Sequence, residues 1–187
     1  MITRGHPTTA APDAASMRRA MGQFASGVTV ITTVTADREP AGCTVSAFSS
    51  LSLDPPLVLA CIDRGRYLHQ LLGTAPGFAV NVLRSDQGEL ALTFARPGAD
   101  RFAGVISCLG RHGAPLLDGA IAHIECDREA LLDGGDHTIV VGRVRGLATH
   151  DGEPLIYTRG AFLDIPTPAW DRARADAPHE WLLSAPW

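Results

Sequence analysis

Residues Thr44 to Arg66 read "TVSAFSSLSLDPPLVLACIDRGR", and the way this run divides decides the fold. Up to Leu53 it alternates. By parity Thr44, Ser46, Ser50 and Ser52 share one face with Phe48, while Val45, Ala47, Leu51 and Leu53 share the other with Ser49. Asp54-Pro55-Pro56 then stops the ladder, because proline has no N–H to donate and pushes the residue before it towards extended geometry. "LVLACID" follows as a short apolar run of the kind buried on both faces of a sheet. Two strands with a proline break therefore predict antiparallel β structure, with a row of hydroxyls on one face.

Upstream, Ser16 is placed to cap a helix, "MRRAMGQFASG", that ends at Gly27. "VTVITTVTA" is β-branched nearly throughout, and "DREPAG" supplies turn residues, so this strand and the next form a hairpin. Downstream, "YLHQLLGTA" has helical spacing, "FAVNVL" reads as a strand and "DQGELALTFA" as a second short helix. The segment from Arg96 to Gly119 is rich in loop signals. "AIAHIECDREALL" and "HTIVVGRVRGLATH" form a hairpin across Asp133-Gly134-Gly135-Asp136, and "EPLIYTRGAFLDI" reads as a last strand. Six or seven strands with two or three short helices fit a mainly β fold, an antiparallel sheet closed into a barrel, better than a doubly wound parallel sheet. Residues 1–15 read as a disordered leader, 16–165 as one domain, and 166–187 as a tail carrying Trp170, Trp181 and Trp187, which read as packing residues.

The chain has 187 residues, 45% of them apolar, and a net charge of -4. Its basic residues are scattered, which argues against a nucleic-acid partner or an anionic membrane surface. No apolar run approaches the ~20 residues that cross a bilayer, and no secretory h-region is visible, so a cytoplasmic location is expected. Cys43, Cys61, Cys108 and Cys126 have neither C-x-x-C spacing nor a zinc pattern and read as free thiols. His123, Glu125 and Cys126 lie on one strand, where consecutive residues point to opposite faces, so the three do not converge on one ion and no metal is expected. Arg143 and Arg145 share a strand face that is solvated or meets another subunit.

No G-x-S-x-G, H-E-x-x-H, P-loop or G-x-G-x-x-G opening a helix is present. A barrel without a nucleophile motif or a metal cluster points to a ligand that brings its own chemistry. By alternation alone the hydroxyl row is the wet face of an amphipathic strand. The next element shifts that reading, because "CIDRGR" leaves a strand with Arg64 and Arg66 at its end, where an anion could be met. Hydroxyls beside such an end suit a phosphorylated ligand.

The collinear order "GQFASGVTVITT", "GCTVSAFSSLSLDPPLVLACID", "FAVNVL", "RFAG", "GGDHTIVVGRV" and "PLIYTRGAF" resembles the flavin reductase family, NAD(P)H:flavin oxidoreductases built on an FMN-binding split β-barrel with Greek-key-like connections. The nearest likeness is to reductase components of two-component flavin-dependent monooxygenases. The resemblance implies FMN or FAD as flavin, NADH or NADPH as co-substrate, a homodimer, and a separate oxygenase reached by diffusion of reduced flavin. It places the segment from Thr44 through Val45, Ser46, Ala47 and Ser49 to Ser50 along the flavin, with Thr44, Ser46 and Ala47 at the ring's polar edge and Ser49 and Ser50 nearer the ribityl chain or phosphate. It sets Cys61, Ile62, Asp63, Arg64 and Arg66 at the ring edge and phosphate, and Phe78 and Asn81 beside the same pocket. Arg101 and Phe102 match a loop after the second helix, His137 the nicotinamide side, and Tyr157 and Arg159 the closing strand.

One departure stands out. Family members often carry Ser and Thr after the arginine that corresponds to Arg64, whereas this chain has Gly65, Arg66, Tyr67 and Leu68. Either Arg66 replaces those hydroxyls with charge-assisted bonds, or the phosphate grip is weaker, as suits a reductase that releases its flavin. The rival readings are a flavoprotein that keeps FMN tightly bound and acts on its own substrate, and a non-catalytic module for flavin or another nucleotide-like ligand.

Overall fold

Asp13, rather than Ser16, caps the first helix: its carboxylate accepts the Ser16 N–H at 2.6 Å, which puts Ser16 inside the first turn. The structure is a computed structural model and describes residues 11–98 and 100–163; most of the expected leader and the Trp-bearing tail lie outside the described residues. Helix α1 (Ala14–Met21) ends at Gly22 and leads to β1 (Ser26–Gly27), β2 (Thr29–Val34) and β3 (Pro40–Val45). A two-residue gap separates β3 from β4 (Phe48–Leu53), which turns at Asp54-Pro55 into β5 (Pro56–Asp63). Then come α2 (Tyr67–Leu72), β6 (Gly77–Val82), α3 (Gly88–Ala95), β7 (Ser107–Leu109), β8 (Pro115–Leu117), β9 (Ala122–Gly134) and β10 (His137–Thr149). The β7–β8 hairpin forms inside the stretch expected to be loop.

The last expected strand is instead a hairpin, β11 (Ile156–Thr158) and β12 (Ala161–Leu163). Arg159 and Gly160 both take positive φ, 50° and 82°, the geometry of a tight two-residue turn whose twist matches the strands it joins. This hairpin pairs with β1 and holds the end of α1, since the Arg159 N–H and the Thr158 hydroxyl both donate to the Gly22 carbonyl.

The main sheet has seven strands in the order β3-β2-β6-β9-β10-β5-β4, each neighbouring pair antiparallel. Its two edges, β3 and β4, are consecutive in the chain. Laid flat, seven strands at ~4.8 Å spacing would hold those edges roughly 29 Å apart. The chain from Val45 to Phe48 spans at most about 11 Å. The sheet must therefore curl until its edges come together at Ser46 and Ala47, where the Ala47 carbonyl still accepts the Cys61 N–H of β5 at 2.9 Å. This is the antiparallel barrel that the strand count and the resemblance both predict.

Inside it, Ile31, Val80, Phe78, Ile62 and Val140 pack with Leu68 and Leu72 of α2. Burial of each large side chain contributes about 1.5–3 kcal/mol. Gly142 is needed here, because an added Cβ would come within 2.5 Å of the Phe78 ring. A second core gathers Leu83, Leu117 and Leu155 around Phe94 of α3, whose ring meets Phe102 edge-on at 5.0 Å. Outside, Arg143 and Arg145 pair across the β9–β10 ladder with Glu129 and Asp127 at 2.6 and 2.7 Å. His123 Nε2 donates to the Leu117 carbonyl, 2.9 Å away, and its ring meets that of His150 edge-on.

Candidate functional site: two cavities at the strand break

The Thr44–Leu53 run is not one strand, and the parity drawn across it does not hold. The β3–β4 break takes Ser46 and Ala47 out of both ladders, and a bulge between Ser50 and Ser52 inserts Leu51. Leu53, expected on a core-like face, is 70% exposed, and Leu51 is exposed as well. The hydroxyls consequently part company. Thr44 and Ser46 line one cavity, Ser46 and Ser49 another, and Ser50 faces neither.

The larger cavity, ≈ 960 Å³, lies between the break, α1 and the β11–β12 turn. Its floor comes from Ala47, Phe48, Leu59 and Cys61; its other walls come from Met21, Phe24, Tyr157 and Arg159. Strand β5 was expected to be buried on both faces, but only Val58, Ala60 and Ile62 are; Leu59 and Cys61 on the alternate face form cavity wall. The second cavity, ≈ 580 Å³, shares Ser46, Tyr157 and Gly160 with the first and reaches Thr44, Arg66 and the Ala91–Ala95 side of α3. A third, ≈ 420 Å³, lies beyond α2 and includes Arg101 and Phe102.

Polar groups at the break are available. The N–H groups of Ser46 and Ala47 and the Ser46 hydroxyl have no hydrogen-bond partner among the described residues. Thr44 Oγ1 donates to the Ala91 carbonyl at 2.6 Å, which ties α3 to the cavity wall and leaves the oxygen's lone pairs to accept. Arg66 is half-buried, with Nη1 donating to the Ala95 carbonyl at 3.1 Å and the rest of its fork unengaged.

Several residues that the resemblance pointed to are engaged elsewhere. Val45, Ile62 and Phe78 are core. Asn81 is fully buried: its amide donates to the Val30 carbonyl, the Thr32 hydroxyl and the Pro115 carbonyl, and its Oδ1 accepts the Leu117 N–H at 2.8 Å. Asp63 accepts the Gly65 N–H, and Arg64 pairs with Asp133 at 2.5 Å. Arg101 donates to the carbonyls of Gly42 and Arg96, away from the two joined cavities. His137 lines none of the three cavities; its Nδ1 sits 2.7 Å from Asp136 Oδ1 at the tip of the β9–β10 hairpin.

The thiols offer no nucleophile in the core, since burial raises Cys43 and pushes Cys126 up to about 12. Among the described residues no group of His, Cys, Asp and Glu could hold a metal ion. The geometry therefore describes a binding site: an apolar slot, neutral donors along one edge, and a guanidinium at one end.

A family model described as "Flavin reductase like domain" matches residues 21–166. The chain belongs to that family. An NADH-dependent FAD reductase of Streptomyces globisporus is 46% identical over 169 residues, which are 87% of this chain and 91% of that protein. The reductase component of a 4-nitrophenol 4-monooxygenase/4-nitrocatechol 2-monooxygenase from Rhodococcus opacus is 43% identical over 80% of each chain. A longer relative, a probable flavin reductase of Rhizobium meliloti, is 41% identical, and the chain spans 48% of its length. Among solved structures, the Streptomyces globisporus NADH:FAD oxidoreductase in complex with NAD and FAD fragments superposes with a TM-score of 0.80 at 41% identity, covering 84% of this chain and 95% of that one.

The two joined cavities are also lined by residues to which the sequence reading gave no role. Phe24 stands in the "GQFASGVTVITT" motif and Met21 just before it, so that motif was the signal; Phe24, 72% exposed, has no packing reason to be aromatic. Leu59 was hidden by the assumption that β5 is buried on both faces. Ala91, Leu92 and Ala95 of α3 left no signal, because tertiary contacts, the Thr44 and Arg66 bonds to the Ala91 and Ala95 carbonyls among them, bring that helix to the wall.

Proposed function

We propose that the protein is an NAD(P)H-dependent flavin reductase that supplies reduced flavin to a separate monooxygenase. The observation that carries this reading is the pair of joined cavities at the Ser46–Ala47 break, where unpartnered donors edge an apolar slot. The residues fit a flavin. Leu59, Phe24 and Tyr157 offer flat apolar contact, the Ser46 and Ala47 N–H groups face the polar rim of a ring, and Arg66 supplies positive charge for a phosphate. Cavities of roughly 300–1,000 Å³ are the usual size for such ligands.

When bound, flavin supplies the redox chemistry, taking hydride from nicotinamide C4 at its N5. The chain's own part is positioning and electrostatics. Ser46 and Ala47 would orient the ring edge, and Thr44 would fix α3 against it. Arg66 replaces the hydroxyls missing at Gly65–Leu68, which supports binding of FMN or FAD. His137 is assigned to the nicotinamide side. Its Nδ1 bond to Asp136 leaves Nε2 free to face a ligand, and the charge of Arg18, which lines the larger cavity, reaches that same Asp136.

Exposed Leu53, Ile106, Leu109 and Leu147 support a homodimer, which light scattering in solution tests; a monomer at micromolar concentration overturns it. No helix among the described residues is long and apolar enough to cross a membrane. The deciding experiment is steady-state oxidation of NADH and NADPH with FMN, FAD and riboflavin as acceptors. Turnover with free flavin is expected, and none with any pair rejects the reading.

A further inference from the structure

We propose that Arg18, Arg19 and Arg159 form the diphosphate grip for the pyridine dinucleotide on the exposed side of the larger cavity, an inference that rests on the flavin reductase reading of the site. All three line that cavity, and none of its described lining residues is Asp or Glu. The described residues make seven ion pairs, yet none involves these three arginines. Three guanidinium groups around one cavity with no acidic ion-pair partner among the described residues are out of keeping with a chain of net charge -4.

Their other contacts leave charge to spare. Arg19 donates from Nη2 to the Ser16 hydroxyl at 2.8 Å, and Arg159 donates from Nε to Gln23 Oε1 at 2.9 Å. Both partners are neutral. Of the three, Arg18 is felt by one carboxylate, that of Asp136. Its carboxyl is held below the ordinary value first by the His137 hydrogen bond and then by the His137 charge, with Arg18 a weaker contributor beyond ion-pair distance.

The chain also holds the arginines in place from two sides. Arg18 and Arg19 sit in the last turn of α1, where cations suit the helix dipole, and Arg159 sits in the two-residue turn whose N–H bonds to Gly22 at the end of that helix. A guanidinium fork matches two phosphate oxygens, so a group of three suits a diphosphate bearing two negative charges. Arg66 is separated from them by the Tyr157–Ser46 wall and serves the second cavity, so a flavin phosphate and a dinucleotide diphosphate have separate anchors.

The test uses the full chain carrying Arg18→Gln and Arg19→Gln together, since glutamine keeps helix propensity. Arg84→Gln, which removes a charge paired with Asp86 away from the cavity, is the control. Calorimetric binding of ADP-ribose, which carries the diphosphate without the nicotinamide ring, should weaken at least tenfold in the double variant and stay within twofold in the control. KM for NADH should rise by a similar factor while kcat holds within about twofold, the mark of lost uniform binding. The dependence of KM on ionic strength should flatten. Unchanged ADP-ribose affinity in a variant that still turns over overturns the grip and leaves the reductase intact. Loss of FAD affinity in place of ADP-ribose affinity overturns it as well. A wild-type protein without turnover rejects the reductase reading, and ADP-ribose binding then decides the arginine site by itself.

Discussion

Two polar regions of this barrel are built from the same kinds of residue and behave in opposite ways. Around Asn81, every group is matched: the amide and its oxygen serve four partners on β2 and β8, and Thr32 closes the set by donating to the Pro115 carbonyl at 2.6 Å. At the exposed Ser46–Ala47 break, which lines the larger cavity, two N–H groups and a hydroxyl have no partner among the described residues. Saturated polar groups hold a fold together, because a buried donor left unpaired costs about 1–3 kcal/mol. Unsaturated ones beside an apolar wall are where a ligand supplies the missing partners. By that measure Asn81, although the resemblance placed it beside the flavin, belongs to the frame.

The strongest way to break the comparison is Asn81→Ala. It strands the Leu117 N–H and opens a small void, so denaturant unfolding should show a loss of about 2–4 kcal/mol. A protein of unchanged stability that no longer binds FMN would move Asn81 into the site. Next is Arg66→Gln, at the end of the second cavity. FMN affinity should fall about tenfold, or roughly 1.4 kcal/mol, while riboflavin, which lacks the phosphate, should bind as before. Equal losses for both ligands would mean that Arg66 supports the wall through Ala95 instead of meeting a phosphate.

How legible this was in the sequence follows the same division. The barrel could be read, because strand runs, proline breaks and turn signals are local properties that β2, β5, β6, β9 and β10 all carry. The closure was written in the chain too, in a hydroxyl-rich run too long for one strand. What misled was period-2 parity, which holds only while a strand is unbroken; the Ser46–Ala47 gap and the Leu51 bulge each reset it. Arg159-Gly160 was read through as strand because arginine at positive φ has no sequence signature. Motif order named Ser46, Cys61, Arg66, Tyr157 and Arg159, and the structure places all five on the lining of the two cavities. The α1 and α3 walls were missed, because which helix covers a barrel opening depends on tertiary contacts such as the Thr44–Ala91 bond.

Asp127 extends the comparison to a charge. His112, Arg111 and Arg145 all donate to it, and those hydrogen bonds, His112 foremost, hold its carboxyl far below the ordinary value. A carboxyl lowered by folding adds stability above its unfolded pKa of about 3.9, and that gain is lost as pH falls through the folded value. Asp127→Asn should therefore be less stable than wild type at neutral pH, by no more than about 1 kcal/mol for so exposed a cluster. The gap should narrow in acid below about pH 4. A constant gap from pH 7 down to pH 3 would show that shape, not charge, holds the cluster.

The smallest effect is the most discriminating. Ser46→Ala removes a hydroxyl that has no partner among the described residues, so unfolding free energy should move by less than about 0.5 kcal/mol. The same change removes a donor from the wall shared by both cavities, and one neutral hydrogen bond is worth roughly 1 kcal/mol. Flavin affinity should therefore drop about three- to fivefold while the melting curve overlays that of wild type. If stability falls and affinity holds, the Ser46 hydroxyl is a strut of the barrel, and an unpartnered polar group does not mark the site. If affinity alone falls, the open polar edge at the point where the sheet fails to close is what the fold keeps for its ligand.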